Sequence, residues 1–377
     1  MGNDMIRWGI LGTGGISRAF AQALRETPGA RLVAVGSRSL GSARAFAKEF
    51  GAAAYASYEA LVAAPGVDIV YIGTPHTLHA ENTLLALGAG KAVLCEKPFA
   101  MNLRQARRMI GLARSRKLFL MEAMWTRFTP ALAEVRRLVA DGEIGEVALV
   151  QADFGFAATR DPGHRVNQRE LGGGALLDLG IYPLSIASAL LGPVESVQAQ
   201  AVIGDTGVDL GTGFVMRHRG GTMSVSSCSL RARTPCELHI AGSLGSIRMD
   251  SMFHMAGSLT VTASDGSSRG IPTPFLGNGY VHEAIAAGEA LRAGWIEHPL
   301  MTHDDTLAGM RVLDEIRAQI GLRYPSDELP DALADEVANP LADELANGLA
   351  NEVANALANE SDVERTHAPS DAPAGRR

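Results

Sequence analysis

Cysteines are few in this chain of 377 residues, and long apolar runs are missing. Its three cysteines, Cys95, Cys228 and Cys236, are an odd number and form no CxxC pair. This usage indicates free thiols in a reducing compartment and argues against a disulfide framework or a cysteine zinc site. No basic and apolar leader precedes the strand-like residues at Met5, and no apolar run has the length of a membrane span. We therefore expect a cytoplasmic protein without a membrane partner.

A basic surface is missing as well. The whole chain has a formal net charge of −7, but residues 326–377 contain 12 acidic and 3 basic residues, so residues 1–325 are near +2. No basic stripe interrupts this near-neutral part, and we expect no nucleic-acid partner. With 46% hydrophobic and 20% charged residues, the composition is that of an ordinary globular chain, long enough for two domains.

The first third of the chain alternates short apolar runs with helix-like segments. The runs at 6–11, 31–35, 68–72, 91–95 and 118–121 are interleaved with helical patterns at 16–25, 43–50, 78–87 and 103–116. Alternation of this kind predicts a parallel sheet with helices on both faces. We predict a doubly wound Rossmann domain of the dinucleotide-binding type over residues 1–128.

The pattern changes after residue 128. Strand-like segments then dominate, at 147–156, 194–203, 211–218, 222–230, 237–241 and 258–263, with helical segments at 129–139, 175–191, 281–293 and 306–320. This order predicts an α+β domain with a large, mostly antiparallel sheet. We assign residues 129–325 to this second domain.

Residues 326–377 form an acidic low-complexity tail with an eight-residue repeat. Leu or Val recurs every fourth residue, and Pro340 and Gly348 interrupt the pattern. The repeat is compatible with an amphipathic oligomerisation helix or with a duplicated segment that is mostly disordered. The composition favours the second interpretation.

A glycine-rich turn, Gly12-Thr13-Gly14-Gly15-Ile16, joins the first predicted strand to the first helix. The pattern Gly12-x-Gly14-x-x-Ser17 resembles a dinucleotide fingerprint with a small third residue. Gly12 permits the tight turn, and Gly14 lets the backbone approach a pyrophosphate at the helix N-terminus. A plain turn has the same local sequence, but the strand–turn–helix context favours a dinucleotide.

The end of the second strand bears on the choice of dinucleotide. NAD sites usually place a carboxylate here for the ribose hydroxyls, but no Asp or Glu occurs between Glu26 and Glu49. The pair Ser37-Arg38 stands there instead and suits a 2′-phosphate. A solvated polar turn is the alternative. We predict NADP as cofactor, with NAD still possible.

Two histidines follow the strand at 68–72. The segment Thr74-Pro75-His76 lies at the carboxyl edge of the predicted sheet, where it would run beside the nicotinamide ribose. His76 and His79 could form a metal pair, but only Glu81 is near enough to extend the set. We therefore predict no metal, a pocket position for His76 and a structural role for His79.

Candidate reacting groups occur in two separate segments. Lys97, in Glu96-Lys97-Pro98, directly follows a buried strand, and a cationic nicotinamide beside it would lower its pKa. Asp178 and Tyr182 follow three glycines and are four residues apart, on one face of a predicted helix. A carboxylate can orient a hydroxyl, and a phenol whose pKa is lowered by a neighbouring ammonium can transfer its proton. Alternatively, Lys97 is a solvated charge and the other two residues are structural.

With these motifs, residues 5–325 resemble the Gfo/Idh/MocA oxidoreductase family. The segments 121–128 and 316–325 resemble its NADP-linked trans-dihydrodiol and D-xylose dehydrogenase branch. The resemblance implies that Lys97 and Tyr182 are the catalytic pair, that Asp178 is a substrate ligand, and that the cofactor also meets Glu96 and Lys97. It further implies a substrate pocket with four contributing residues, Trp125, Arg127, Phe154 and Phe156.

The expected activity is hydride transfer between NADP and a CH–OH or C=O group of a sugar, diol or dicarbonyl. The resemblance also implies a homo-oligomer, a dimer or tetramer, formed through the open face of the second sheet. Two alternatives stay open: a sugar or inositol dehydrogenase with another substrate, and an NADP-sensing regulator without turnover. Retention of Lys97, Asp178 and Tyr182 argues against the regulator.

Overall fold

The computed structural model describes residues 5–328 of the chain. Its N-terminal part is built on a six-stranded, fully parallel sheet in the order β3-β2-β1-β4-β5-β6. The strands are β1 Ile6–Leu11, β2 Ala30–Gly36, β3 Ala53–Tyr55, β4 Ile69–Ile72, β5 Ala92–Glu96 and β6 Leu120–Ala123. The helices between them are α1 Gly15–Glu26, α2 Leu40–Phe50, α3 Tyr58–Val62, α4 His79–Gly88 and α5 Leu103–Arg116.

Strand β4, at the centre of this sheet, is buried along its whole length. Every residue of β4 is buried, as expected for a parallel strand covered by helices on both faces. The strand order changes direction between the neighbouring strands β1 and β4, which is the topological switch point of a doubly wound sheet. The loops after β1, β4 and β5 therefore open onto the same carboxyl edge, and the predicted Rossmann fold is confirmed.

The second sheet has eight strands in the order β14-β13-β12-β11-β7-β10-β9-β8. Its pairs are antiparallel except for β7 with β10. The strands are β7 Val147–Gly155, β8 Val194–Ile203, β9 Asp209–His218, β10 Met223–Ser229, β11 Leu238–Gly242, β12 Gly245–Met249, β13 Ser258–Ala263 and β14 Ser268–Pro272. Along β10, exposed and buried residues alternate, so one face of the sheet is packed and the other is open. The mostly antiparallel α+β part is confirmed.

Four longer helices accompany the second sheet: α6 Pro130–Ala140, α7 Ile181–Leu191, α8 Val281–Arg292 and α9 His303–Ile320. Helices α8 and α9 also pack against α1 and α5 of the first sheet. The Asn278 side chain donates a hydrogen bond to the Ala19 carbonyl at 2.7 Å, and the Leu120 amide donates to the Ile296 carbonyl at 3.0 Å. The end of the described chain thus returns to the first sheet, and the two sheets share one buried core.

The packed part of the protein continues beyond Pro325, the residue at which the sequence predicts the end of the second domain. The carboxylate of Asp327 accepts hydrogen bonds from Asn102 at 2.9 Å and Arg317 at 2.7 Å. Residues 326–328 are therefore tied to the fold. The limits at 128 and 325 remain predictions, and the repeats assigned to the tail lie outside the described residues.

One described helical stretch, Arg169–Leu191, is long and apolar enough to cross a membrane. However, 78% of its apolar window is buried inside the protein. The stretch carries Asp178 and Tyr182 and packs against β7 and β10 of the second sheet, so its apolar character is explained by burial.

Candidate active site

The glycine turn after β1 is tight and leaves the start of α1 open. Gly12 has a φ of 100°, and a Cβ atom there would stand 2.6 Å from the Gly73 oxygen, so only glycine fits. Gly14 is the N-cap of α1 and makes no side-chain cap, and no atom lies within 4 Å of a Cβ built at Gly14 or Gly15. The first amides of α1, which include that of Ile16, are therefore accessible to a phosphate.

Ser17, at the third fingerprint position, is completely buried. Its hydroxyl donates a hydrogen bond to the Gly73 carbonyl at 3.3 Å, and a Cβ atom on Gly73 would lie 2.4 Å from that hydroxyl. The small serine and the small glycine let α1 pack directly against the loop after β4.

Ser37 and Arg38 stand at the end of β2, on the same edge. The Ser37 hydroxyl is buried and accepts a hydrogen bond from the Ser39 amide at 3.3 Å. Burial raises the pKa of the Tyr58 hydroxyl, and the neighbouring guanidinium of Arg38 opposes the shift through its charge and a hydrogen bond. Arg38 is thus held at the position where a cofactor 2′-phosphate is expected, in a segment without carboxylates.

The loop after β4 is fixed by its histidines. His79 is buried, with Nδ1 2.8 Å from the Pro98 carbonyl and Nε2 2.9 Å from the Thr74 carbonyl. It therefore bridges the loop of Thr74 and Pro75 to the loop of Lys97. His76 faces the segment of Asp178, with Nδ1 3.1 Å from the Gly172 carbonyl and Nε2 4.0 Å from the Asp178 carboxylate.

Lys97 meets both other predicted reacting groups. Its Nζ donates a hydrogen bond to the main-chain oxygen of Asp178 at 2.9 Å and contacts the Asp178 carboxylate at 3.4 Å. The same ammonium lies 4.8 Å from the centre of the Tyr182 ring. The fold therefore brings together three side chains that are up to 85 positions apart in the sequence.

A π-helical segment explains why a main-chain oxygen is available to Lys97. Residues Leu176–Gly180 form a π-helix that continues into α7. In this register the Asp178 carbonyl would pair with the amide of residue 183. That residue is Pro183, which has no N–H, so the carbonyl is left for the lysine. The regular helix expected over 175–191 is therefore replaced at its start by a π turn.

Asp178 is a charged carboxylate in a buried place. Burial would raise its pKa, but Lys97, His76 and Arg165 outweigh this effect and hold the pKa well below its usual value. Burial lowers the pKa of His76 to about 3. His76 is thus neutral at neutral pH. The positive charge that balances the Asp178 carboxylate at neutral pH comes from Lys97 and Arg165. Arg165 lies 3.2 Å from the carboxylate.

The pKa values of the predicted pair both rise. Burial would lower the pKa of Lys97, but the interactions with Tyr182, which is negative only when ionised at high pH, and with the carboxylates of Asp178 and Glu96 outweigh burial and raise the pKa. Burial raises the pKa of Tyr182, and the Lys97 charge opposes the rise without cancelling it. The ammonium thus acts on the phenol in the expected direction, but burial is the larger effect and Tyr182 is protonated at neutral pH.

The Glu96 side chain fixes the main chain of Lys97 through a hydrogen bond. Its carboxylate accepts hydrogen bonds from the Tyr71 hydroxyl at 2.5 Å and from the Lys97 amide at 3.1 Å. Burial raises the pKa of Glu96 to about 7, against the opposing charge of Lys97. The side chain therefore changes its charge in the neutral range, directly behind the lysine.

Aromatic rings enclose Tyr182. The Trp125 indole donates a hydrogen bond to the Tyr182 hydroxyl at 3.2 Å, and the Phe154 ring centre is 5.3 Å from that of Tyr182. The ring of His254 is stacked on Phe154, with 4.4 Å between centres, and Tyr280 packs on Trp125 at 4.8 Å. These five residues form an aromatic cluster beside Lys97.

Two further residues predicted for the substrate pocket, Arg127 and Phe156, do not belong to this aromatic cluster. Arg127 is buried between helices, where its Nε donates a hydrogen bond to the Ser185 hydroxyl at 2.9 Å and its Nη1 lies 3.9 Å from Asp305. Phe156 follows β7 and is 39% exposed. Neither contacts the ring of Tyr182 in the way that Trp125 and Phe154 do.

Sequence reasoning missed three residues that support this site. Arg165 pairs with Asp178, and His254 stacks within the aromatic cluster. Asp209 accepts hydrogen bonds from the Leu176 amide at 2.8 Å and the Thr212 hydroxyl at 2.7 Å, which anchors the start of the π turn. A proline shortly after three glycines signals an irregular helix start, but the other contacts have no local signature in the sequence.

Other candidate features lie apart from this site. Within residues 5–328 no group of three or more His, Cys, Asp or Glu side chains could hold a metal ion. A cavity of about 270 Å³ opens at the opposite end of β1, between the loop before β2 and helix α8. It is lined by Trp8, Pro28 and Gly288 among others, far along the strand from the glycine turn.

Comparisons with known proteins identify the family of this chain. Residues 6–124 match the family model described as "Oxidoreductase family, NAD-binding Rossmann fold", and residues 132–248 match that of the GFO/IDH/MocA C-terminal domain. These two matches define an oxidoreductase with an NAD-binding Rossmann part and the C-terminal part of the same family. The chain belongs to the Gfo/Idh/MocA oxidoreductase family.

The chain is similar to curated enzymes along their whole length. It is 39% identical over 333 residues to the trans-1,2-dihydrobenzene-1,2-diol dehydrogenase of Danio rerio, with 85% of this chain and 99% of that protein covered. It is 35% identical over 364 residues to the D-xylose 1-dehydrogenase (NADP(+)) of Hypocrea jecorina, with 85% and 93% covered.

Solved structures show the same fold. A 3-ketoreductase from Actinomadura kijaniata in complex with NADP and TDP-benzene has a TM-score of 0.75 at 29% identity, with 84% of this chain and 98% of that one covered. An aldose-aldose oxidoreductase from Caulobacter crescentus complexed with glycerol has a TM-score of 0.77 at 28% identity, with 84% and 97% covered.

Proposed function

We propose that this protein transfers hydride between NADP and a CH–OH or C=O group of a sugar, diol or dicarbonyl. Lys97 and Tyr182 handle the proton, and Asp178 orients the substrate. The observation that carries the proposal is the meeting of Lys97 with both Asp178 and Tyr182 at the sheet edge where the glycine turn opens. The names of the similar enzymes support the substrate range.

The residues at this edge fit NADP. The open space at Gly14, the uncapped start of α1 and the acid-free first turn suit a pyrophosphate. Ser37 and Arg38 would hold the 2′-phosphate, and Thr74, Pro75 and His76 would run beside the nicotinamide ribose. Bound NADP⁺ supplies a hydride acceptor for the substrate carbon.

In the oxidation, Tyr182 in its phenolate form takes the proton of the substrate hydroxyl. The Lys97 ammonium, 4.8 Å from the ring, stabilises this phenolate before the proton is taken. Asp178 holds the ammonium in place through its main-chain oxygen and carboxylate. The Trp125 indole, which donates to the phenol oxygen at 3.2 Å, fixes its position and also favours the anionic form.

In the reverse direction, Tyr182 donates its proton to the oxygen of a carbonyl substrate. Since burial raises the pKa of the phenol, the proton-donating form is the resting form at neutral pH. General acid–base help of this kind accelerates a reaction about 10²–10⁴-fold.

We also propose that the protein forms a homo-oligomer through the open face of the second sheet. The exposed apolar residues Val202, Met223 and Val225 lie on strands β8 and β10 and support this surface. Light scattering coupled to size-exclusion chromatography tests it: Val225→Lys should yield monomers, and a wild-type protein that is already monomeric would contradict it.

The nicotinamide absorbance measured with a panel of pentoses, hexoses, diols and diketones tests the main proposal. We expect turnover of at least one member with NADP and weaker turnover with NAD. Tight NADP binding without turnover of any member would instead favour a cofactor-sensing regulator.

A further inference from the structure

His254 is a polar residue inside the aromatic cluster. It belongs to the short 3₁₀ turn Phe253–Met255 after β12, and only 8% of it is exposed. Its ring is stacked on Phe154, stands edge-on to Trp125 at 6.0 Å between centres, and lies 6.0 Å from the centre of the Tyr182 ring. These contacts hold the imidazole in one orientation beside the proton-handling phenol.

One of the two ring nitrogens of His254 has no partner among the described residues. The buried Nδ1 atom of His254 has no hydrogen-bond partner. Burial and the nearby Lys97 charge lower the pKa of His254 to about 4, so the ring is neutral at neutral pH. A neutral imidazole offers one N–H donor and one bare nitrogen acceptor. Buried polar atoms in folded proteins are nearly always partnered, so a lone one beside a reacting group points to a ligand.

We infer that His254 binds a second hydroxyl of the substrate, and that the site therefore prefers a polyhydroxylated sugar ring to a dihydrodiol. The inference rests on the proposed function, in which Tyr182 meets the reacting hydroxyl. A sugar ring has hydroxyls on most of its carbons, so one of them can face His254 while another faces the phenol. A dihydrobenzene diol has a single further hydroxyl, fixed on the carbon next to the reacting one, so it can offer the imidazole a partner from that one position only, whereas a sugar ring offers several.

The composition of the cluster suits this division of roles. Trp125 and Phe154 provide apolar faces for the carbon skeleton, while a few fixed polar groups set the orientation of the ligand. A protein group that forms a hydrogen bond with one substrate hydroxyl discriminates strongly against an analogue without that hydroxyl. The reason is that the protein group is left without a partner when the analogue binds. His254 is thus a specificity residue, and Tyr182 and Lys97 remain the groups that handle the proton.

The test compares His254→Phe with wild type by kcat/KM, using D-xylose, its single-deoxy analogues and trans-1,2-dihydrobenzene-1,2-diol, all with NADP⁺. Phe keeps the stacking on Phe154 and removes both nitrogens. We expect kcat/KM for the sugar to fall about tenfold, the size of one lost hydrogen bond, while that for the diol stays within about twofold. In the wild type, kcat/KM should be lower for the deoxy analogue that lacks the hydroxyl bound by His254 than for D-xylose. In the Phe variant the two values should be similar.

Controls separate a specific loss from general damage. Met255→Leu changes an exposed neighbour on the same turn and should leave both substrates unaffected. His254→Asn, which restores a donor and an acceptor, should recover part of the sugar activity. Thermal unfolding and NADP binding report whether each variant is folded.

An equal loss for sugar and diol in the folded Phe variant, or no loss for either, would overturn the inference while leaving the proposed function intact. If the Phe variant does not fold, the wild-type deoxy series decides, and uniform kcat/KM values across that series would overturn the inference. A wild type that turns over no sugar, diol or dicarbonyl would overturn the proposed function and the inference with it.

Discussion

The Tyr324 hydroxyl donates a hydrogen bond to the main-chain oxygen of Gly173 at 2.5 Å, across 151 positions of sequence. Gly173 belongs to the glycine segment that leads into the π turn of Asp178. The adjacent Gly174 has a φ of 117° and no side chain. A Cβ atom at this position would lie only 3.2 Å from the Tyr324 hydroxyl, so glycine leaves the room that this hydroxyl occupies. The last described turn of the chain therefore helps to position the carboxylate that holds Lys97.

Tyr324→Phe should reduce turnover more than it affects cofactor binding. The change leaves the buried Gly173 carbonyl without its donor, which costs about 1–3 kcal/mol. We expect kcat to fall several-fold and the melting temperature to drop by a few degrees, with the Kd for NADP unchanged. Steady-state kinetics and nicotinamide fluorescence measure both, with Tyr55→Phe on β3 as the matched control. A variant with wild-type kcat would show that this contact does not position the site.

Arg38→Ala should separate the two nicotinamide cofactors. If Arg38 contacts the 2′-phosphate, its loss removes a charge-assisted hydrogen bond worth about 1.5–3 kcal/mol, or about 10–100-fold in affinity. The Michaelis constant for NADP should therefore rise by this factor, while that for NAD stays nearly constant. Arg44→Ala, an exposed change on the following helix, is the control. Equal effects of Arg38→Ala on both cofactors would remove the assignment of Arg38 to the phosphate.

The two reaction directions should depend differently on pH. Burial raises the pKa of Tyr182 above its usual 10.0, so the phenolate that accepts a proton is scarce at neutral pH and increases about tenfold per pH unit below the pKa. We expect kcat/KM for oxidation to rise steadily through the alkaline range, and kcat/KM for reduction to stay flat until the phenol ionises.

Glu96 is the matched control for this profile, because its pKa of about 7 falls within the measured range. In Glu96→Gln, the pH profile of kcat/KM should lose any inflection near pH 7, while the rise of kcat/KM for oxidation in the alkaline range should remain. An oxidation rate that is already constant from pH 7 upward in the wild type would mean that Tyr182 is not the proton acceptor.

Much of the first domain could be predicted from the sequence, because its strands are short apolar runs separated by helical periodicity. Helix α5 and strands β8 and β13 have the expected limits. The short elements β3 and α3 were missed because three to five residues carry no clear period. Strand β14, with the sequence Ser-Arg-Gly-Ile-Pro, is mostly exposed and is held by pairing with β13 rather than by an apolar pattern.

Site residues that directly follow the end of a strand or belong to a glycine turn could be predicted from the sequence. Lys97 and the glycines at 12 and 14 have such local signatures, and parallel topology brings them to one edge. The partners of Asp178 and Tyr182 were not predictable in this way, since Arg165 and His254 reach them from loops of irregular backbone. Arg127 was expected in the pocket by resemblance, but its side chain is satisfied by Ser185 and Asp305 between helices.

The measurement that tests the central claim most directly is single-turnover hydride transfer in Lys97→Ala, with binding of NADP followed separately by fluorescence. If the ammonium beside Asp178 and Tyr182 assists the proton transfer, the rate should fall about 10²–10⁴-fold while NADP still binds. A near-normal rate of hydride transfer in this variant would contradict the account.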